Sequence, residues 1–100
     1  MVAAERSVFL PEVPTLKETG FPGVYSGSSR GVAAPKGLDP AIKERLDIAF
    51  RNAIGNFEHH GKMERLGFNV AYMDSRQYKF FLIQEEARIR AVANLLGWEL

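Results

Sequence analysis

Serine, glycine and arginine residues between Ser26 and Gly31 form the strongest candidate for chemistry in this sequence. Glycines allow successive backbone amides to converge on one point, and serine hydroxyls add further hydrogen-bond donors. Arg30 can hold a carboxylate through two parallel hydrogen bonds. We therefore predict that Ser26, Ser28, Ser29 and Arg30 bind a small di- or tricarboxylate. On the residues alone, a flexible surface turn with a solvated arginine remains the alternative.

Two other pairs of residues invite a chemical interpretation and are discounted. His59 and His60 are adjacent, and so are Glu85 and Glu86. Neighbours on a helix point about 100° apart, whereas ligands of one metal ion favour i,i+4 spacing. We predict no metal site, no cofactor and no catalytic residues, so the chain is not expected to be an enzyme. An active site formed between subunits is the remaining enzymatic hypothesis, and no set of residues supports it.

Composition excludes several classes of protein. The chain has 100 residues, 13 basic and 12 acidic side chains, a formal net charge of +1 and no cysteine. This balance gives no electrostatic reason to expect a nucleic acid partner. The apolar runs are far shorter than the roughly 20 residues that a membrane-spanning helix needs. Residues 1–6 lack the basic and apolar regions of a signal peptide.

Helix signals dominate the second half of the chain. Asp39 followed by Pro40 predicts a helix start, and apolar residues at three- and four-residue spacing continue to about Gly55. A second helix is predicted from Phe57 to Leu66. Alternating apolar residues predict a strand over 68–72. A capping box at 74–77 begins a long third helix. Together with an extended N-terminal segment that holds one short helix near 15–19, the order is β-α-α-β-α.

Two motifs, PEVPTLKE at 11–18 and RGVAAPKG at 30–37, precede this capped helix. In that order, the chain resembles the C-terminal third of the substrate-binding receptors of tripartite tricarboxylate transporters, the Bug family of periplasmic binding proteins. The resemblance covers nearly the whole chain. It departs at Ser29, where the family commonly has a tryptophan, and this places the type of ligand in question.

The resemblance implies an α/β fold that is part of a periplasmic-binding-protein-like flytrap. Residues 1–24 would be the remaining edge of the second lobe, 25–37 a crossing or hinge strand, and 38–100 the helices and strand that complete the first lobe. The whole receptor would be periplasmic, and would bind a di- or tricarboxylate or an acidic amino acid for delivery to membrane permease subunits. The part that contributes much of the ligand grip would be absent here.

The sequence also supports a rival hypothesis. Amphipathic helices need a sheet to cover, and two or three short strands make a poor independent sheet. A stand-alone small α/β domain would therefore form a homodimer or exchange strands, and would act as a structural or interaction module.

Overall fold

Three α-helices make up the regular structure of this chain. The computed structural model describes residues 1–99, in which α1 spans Pro40–Ile54, α2 spans Phe57–Arg65 and α3 spans Ser75–Leu95. Residues before Pro40 form turns and extended backbone, as do the segments between the helices. The regular structure of the described chain therefore lies between residues 40 and 95.

Side-chain caps explain where α1 and α2 begin. The Asp39 carboxylate accepts a hydrogen bond from the Ala41 amide at 2.8 Å, and Pro40 occupies a first-turn position that needs no amide donor. Asn56 caps α2 by accepting from the Glu58 and His59 amides. Both helix starts confirm the sequence prediction to within a residue.

The start of α3 is fixed by the predicted capping box. Asp74 accepts from the Gln77 amide at 2.8 Å, and the Gln77 side chain accepts from the Asp74 amide at 3.0 Å. The Ser75 hydroxyl also donates to the Asp47 carboxylate at 2.7 Å, which links the first turn of α3 to α1. Since α1 and α2 also contact each other, the three helices form one connected group.

The predicted α/β fold class, with its flytrap architecture, is wrong for this chain. Residues 1–99 contain helix, turns and unpaired extended backbone, and no strand. A strand exists only when a neighbouring strand takes up its backbone hydrogen bonds, and neither extended segment pairs with the other. Over 68–72, the alternating pattern leaves Val70 and Tyr72 half-buried and Phe68 exposed, but no ladder forms.

The N-terminal residues fold back into a turn that is held by an ion pair. Instead of the predicted short helix, residues 15–19 form a single turn that ends at Gly20, whose φ is +99°. The Arg6 guanidinium contacts the Glu18 carboxylate at 2.8 Å, and Glu18 also accepts from the Thr15 amide at 2.8 Å. Thr15, at the start of this turn, is buried.

We expect acid to open this turn. The hydrogen bonds from Arg6 and from the Thr15 amide lower the pKa of Glu18 from 4.5 to about 2. Because the folded pKa lies below the ordinary value, the stabilisation is complete above about pH 4.5 and is lost as the pH falls towards 2. The protection factor of the Thr19 amide, which bonds to Thr15, should therefore fall over that range.

Matched variants test the assignment to Glu18. Glu18→Gln should lower the protection factor of the Thr19 amide at neutral pH and remove its dependence on acid. Glu12→Gln, a substitution of an exposed carboxylate in the same segment, should preserve that dependence. If both variants kept the wild-type profile, Glu18 would have no part in holding the turn.

The chain exposes far more surface than a compact domain of its size. Its radius of gyration is 16.7 Å, against about 13 Å for a typical domain of 100 residues. Its accessible surface is 8766 Å², about 3,000 Å² more than the value of roughly 5,700 Å² that its mass of 11.2 kDa predicts. Within residues 1–99, Ala93 is the one fully buried hydrophobic residue. These helices therefore present apolar faces that this chain does not itself cover.

Candidate functional site

The predicted anion-binding segment lies along α3 and is attached to that helix at two points. At one end, the Arg88 guanidinium lies 4.2 Å from the centroid of the Tyr25 ring and also donates to the Tyr25 carbonyl. At the other end, the Ser29 and Tyr78 hydroxyls form a hydrogen bond of 3.0 Å. Residues 26–28 therefore run between two anchors on the same helix.

Close packing reinforces the second anchor. A Cβ atom added at Gly31 would lie 2.6 Å from the Tyr78 ring, inside van der Waals contact. The same ring stacks on Phe81, with centroids 5.9 Å apart and planes 18° apart. Glycine at position 31 thus lets the backbone approach the aromatic face of α3, a role that glycine commonly has in extended segments.

Hydrogen-bond donors in this segment are largely uncommitted. The Ser26 amide donates to the Val2 carbonyl at 2.8 Å. Within residues 1–99, the amides of residues 27–31 and the hydroxyls of Ser26 and Ser28 have no protein partner. Arg30 donates to the Ser29 carbonyl at 3.0 Å and forms no ion pair in that described part. This is a set of exposed donors with one unpaired positive charge.

The structure adds partners of the four predicted site residues that sequence reasoning missed. Ser26, Ser28, Ser29 and Arg30 are all exposed on one short extended segment. Neither Tyr78 nor Arg88 is among the predicted site residues. Tyr78 is half-buried and contacts both Ser29 and Gly31. The one sequence signal for this contact was Gly31 itself, because a glycine in an extended segment often marks a close neighbour.

The histidine pair and the glutamate pair that were discounted above have the surroundings of ordinary surface residues. The His59 and His60 rings meet edge to face with centroids 6.4 Å apart, and no group of three metal-ligating side chains occurs within residues 1–99. Glu85 pairs with Arg88, and Glu86 pairs with Arg90 at 2.8 Å, an arrangement that is common on solvated helix faces. Two shallow surface cavities, of about 410 and 330 Å³, lie elsewhere on the described chain and include none of the predicted site residues.

Comparison with known protein families identifies the class of protein to which this chain belongs. The chain matches the family described as "Tripartite tricarboxylate transporter family receptor" over residues 1–97. It therefore belongs to that family of receptors, as the motif resemblance predicted.

Two relatives show what share of the length of a family member this chain spans. It is 36% identical over 93 residues to the "UPF0065 protein in gbd 5'region" of Cupriavidus necator, covering 93% of this chain and 28% of that protein. It is 35% identical over 72 residues to the "UPF0065 protein in tcbD-tcbE intergenic region" of Pseudomonas sp. strain P51, covering 71% of this chain and 21% of that protein. The chain thus spans under a third of the length of either relative.

No solved structure matches the chain. No helix within residues 1–99 combines the length and apolar character needed to cross a membrane.

Proposed function

We propose that this chain supplies a carboxylate-binding segment to a periplasmic solute receptor, which carries a small organic anion to a membrane permease. Family membership supports the receptor role. The observation that carries the carboxylate assignment is the cluster of uncommitted donors at residues 26–31, with the unpaired Arg30 guanidinium beside them. The chemistry is binding alone: no group in the segment is placed to act as an acid, a base or a nucleophile.

A carboxylate fits these donors because each of its oxygens accepts more than one hydrogen bond. The Arg30 guanidinium can give two parallel charge-assisted bonds, while the free amides and serine hydroxyls can bind the remaining oxygens. A ligand with two or three carboxylates would use both kinds of donor at once. Di- and tricarboxylates, or an acidic amino acid, are therefore the proposed ligand class.

A titration of a receptor chimera tests this proposal. In the chimera, this chain replaces the matching segment of the Cupriavidus necator relative. Calorimetry with citrate, succinate, glutamate and tricarballylate should show binding of at least one carboxylate, and the uncharged triamide of tricarballylate should give no heat. Failure of the chimera to bind any carboxylate that the unaltered relative binds would contradict the proposal.

A second candidate function follows from the exposed surface. Two copies that covered an excess of about 3,000 Å² each would bury about 6,000 Å² in total, at the upper end of what obligate homodimers bury, so a second copy of this chain is a physically adequate partner. The chain would then act as a homodimeric interaction module. Sedimentation of the isolated chain distinguishes the two: a stable dimer at micromolar concentration that gives no heat with any carboxylate would favour the module.

A further inference from the structure

We infer that α3 is the positioning element of the carboxylate site, with Tyr78 as the residue that orients Ser29 and with Arg88 holding the opposite end of the segment. This inference rests on the proposed function and adds residues to it. Tyr78 and Arg88 do not themselves face the proposed ligand; they act through the segment that they hold.

The two anchors lie almost three turns apart on α3, since Tyr78 and Arg88 are separated by ten residues. The segment between Tyr25 and Ser29 runs antiparallel to the helix over that distance. Arg88 makes two contacts with Tyr25, one with its ring and one with its carbonyl. A segment that is tied at both ends to a rigid helix loses little further conformational entropy when a ligand binds.

Tyr78 has the more specific role, because its hydroxyl bonds to a side chain of the site itself. A serine hydroxyl rotates freely unless a partner fixes it. With the Tyr78 oxygen 3.0 Å away, the Ser29 oxygen is held in place, whichever of the two hydroxyls donates. The Tyr78 ring is in turn held by stacking on Phe81 and by contact with Gly31.

Tyr78→Phe in the receptor chimera tests this role. We expect the ¹⁵N order parameters of residues 26–30 in the ligand-free chimera to fall from about 0.85, which is typical of rigid backbone, towards about 0.6. Carboxylate affinity should fall about three- to tenfold, because one net hydrogen bond is lost. Tyr72→Phe is the matched control, since within residues 1–99 the Tyr72 hydroxyl makes no hydrogen bond. Equal order parameters in the two variants would overturn the inference, and so would lower order parameters in Tyr78→Phe with unchanged affinity.

Gly31→Ala provides a second test that does not depend on removing the hydroxyl. The added methyl group pushes the Tyr78 ring away from Ser29, so the order parameters of the segment should fall to a similar degree. Because both substitutions break the same hydrogen bond, the double variant should differ little from either single one. Fully additive effects would show that Gly31 and Tyr78 act separately, which would overturn the inference.

Arg30→Ala tests the proposed ligand contact independently of the proposed anchors. It removes a ligand contact but neither anchor, so it should weaken carboxylate binding without lowering the order parameters of residues 26–30. Unchanged affinity in Arg30→Ala would refute the Arg30 assignment, while the order parameters of Tyr78→Phe would still decide whether Tyr78 anchors the segment.

Discussion

Replacing Arg30 with alanine in the receptor chimera is expected to lower carboxylate affinity about 10- to 100-fold, because hydrogen bonds to a charged group contribute about 1.5–3 kcal/mol. Arg30 makes no ion pair within residues 1–99, so its charge is not already neutralised by the described part of the chain. Isothermal titration calorimetry with the carboxylate that binds the unaltered chimera gives the dissociation constant directly.

Two further variants sharpen this prediction. Arg30→Lys keeps the charge but loses the planar, two-pronged donor geometry, so its affinity should fall between those of the wild type and the alanine variant. Arg45→Ala removes an exposed arginine of α1 and should leave affinity unchanged. If Arg30→Ala and Arg45→Ala bound the carboxylate equally, Arg30 would have no place in the site.

The second large effect is expected in the stability of the isolated chain. Apolar side chains lie exposed on all three helices, for example Phe57, which is 93% exposed on α2, and Phe80, which is 63% exposed on α3. With so little buried apolar surface, the isolated chain should bind a hydrophobic dye strongly and unfold over a broad temperature range. In the chimera, dye binding should fall to the level of the Cupriavidus necator relative, and unfolding should become cooperative.

The concentration dependence of the unfolding midpoint shows whether a second copy of the chain covers these apolar faces. A sharp transition of the isolated chain whose midpoint does not change with concentration would contradict the account, because it would require a core that these helices do not have. A midpoint that rises with concentration would identify a second copy of the chain as the partner, and would favour the homodimeric module.

The helices were predictable because their signals are local. Asp39 with Pro40, and Asp74 with Gln77, each fix a helix start through bonds within three residues. The alternating residues at 68–72 carried a local signal too, but a strand also needs a partner, and pairing is a non-local property. That is why the α/β prediction failed while the helix bounds held.

The candidate site likewise has local features, which the sequence reveals, and non-local contacts, which it does not. Donor chemistry at 26–30 is visible in the residue types, so the sequence alone pointed to a possible anion site. Its supporting contacts are not visible: Ser29 and Tyr78 are 49 residues apart, and Tyr25 and Arg88 are 63 apart. Nothing in the type of Tyr78 distinguishes an anchoring hydroxyl from ordinary packing, and only the fold brings it to Ser29.

The central claim is that a carboxylate binds at residues 26–31, and nuclear magnetic resonance tests it most directly. The chimera would carry ¹⁵N label in this chain alone, and the carboxylate that calorimetry selects would be added stepwise. The account predicts that the amides of Gly27 to Gly31, which have no partner within residues 1–99, shift the most and become protected from exchange. Saturating ligand that shifted other amides and left these five unchanged would contradict it.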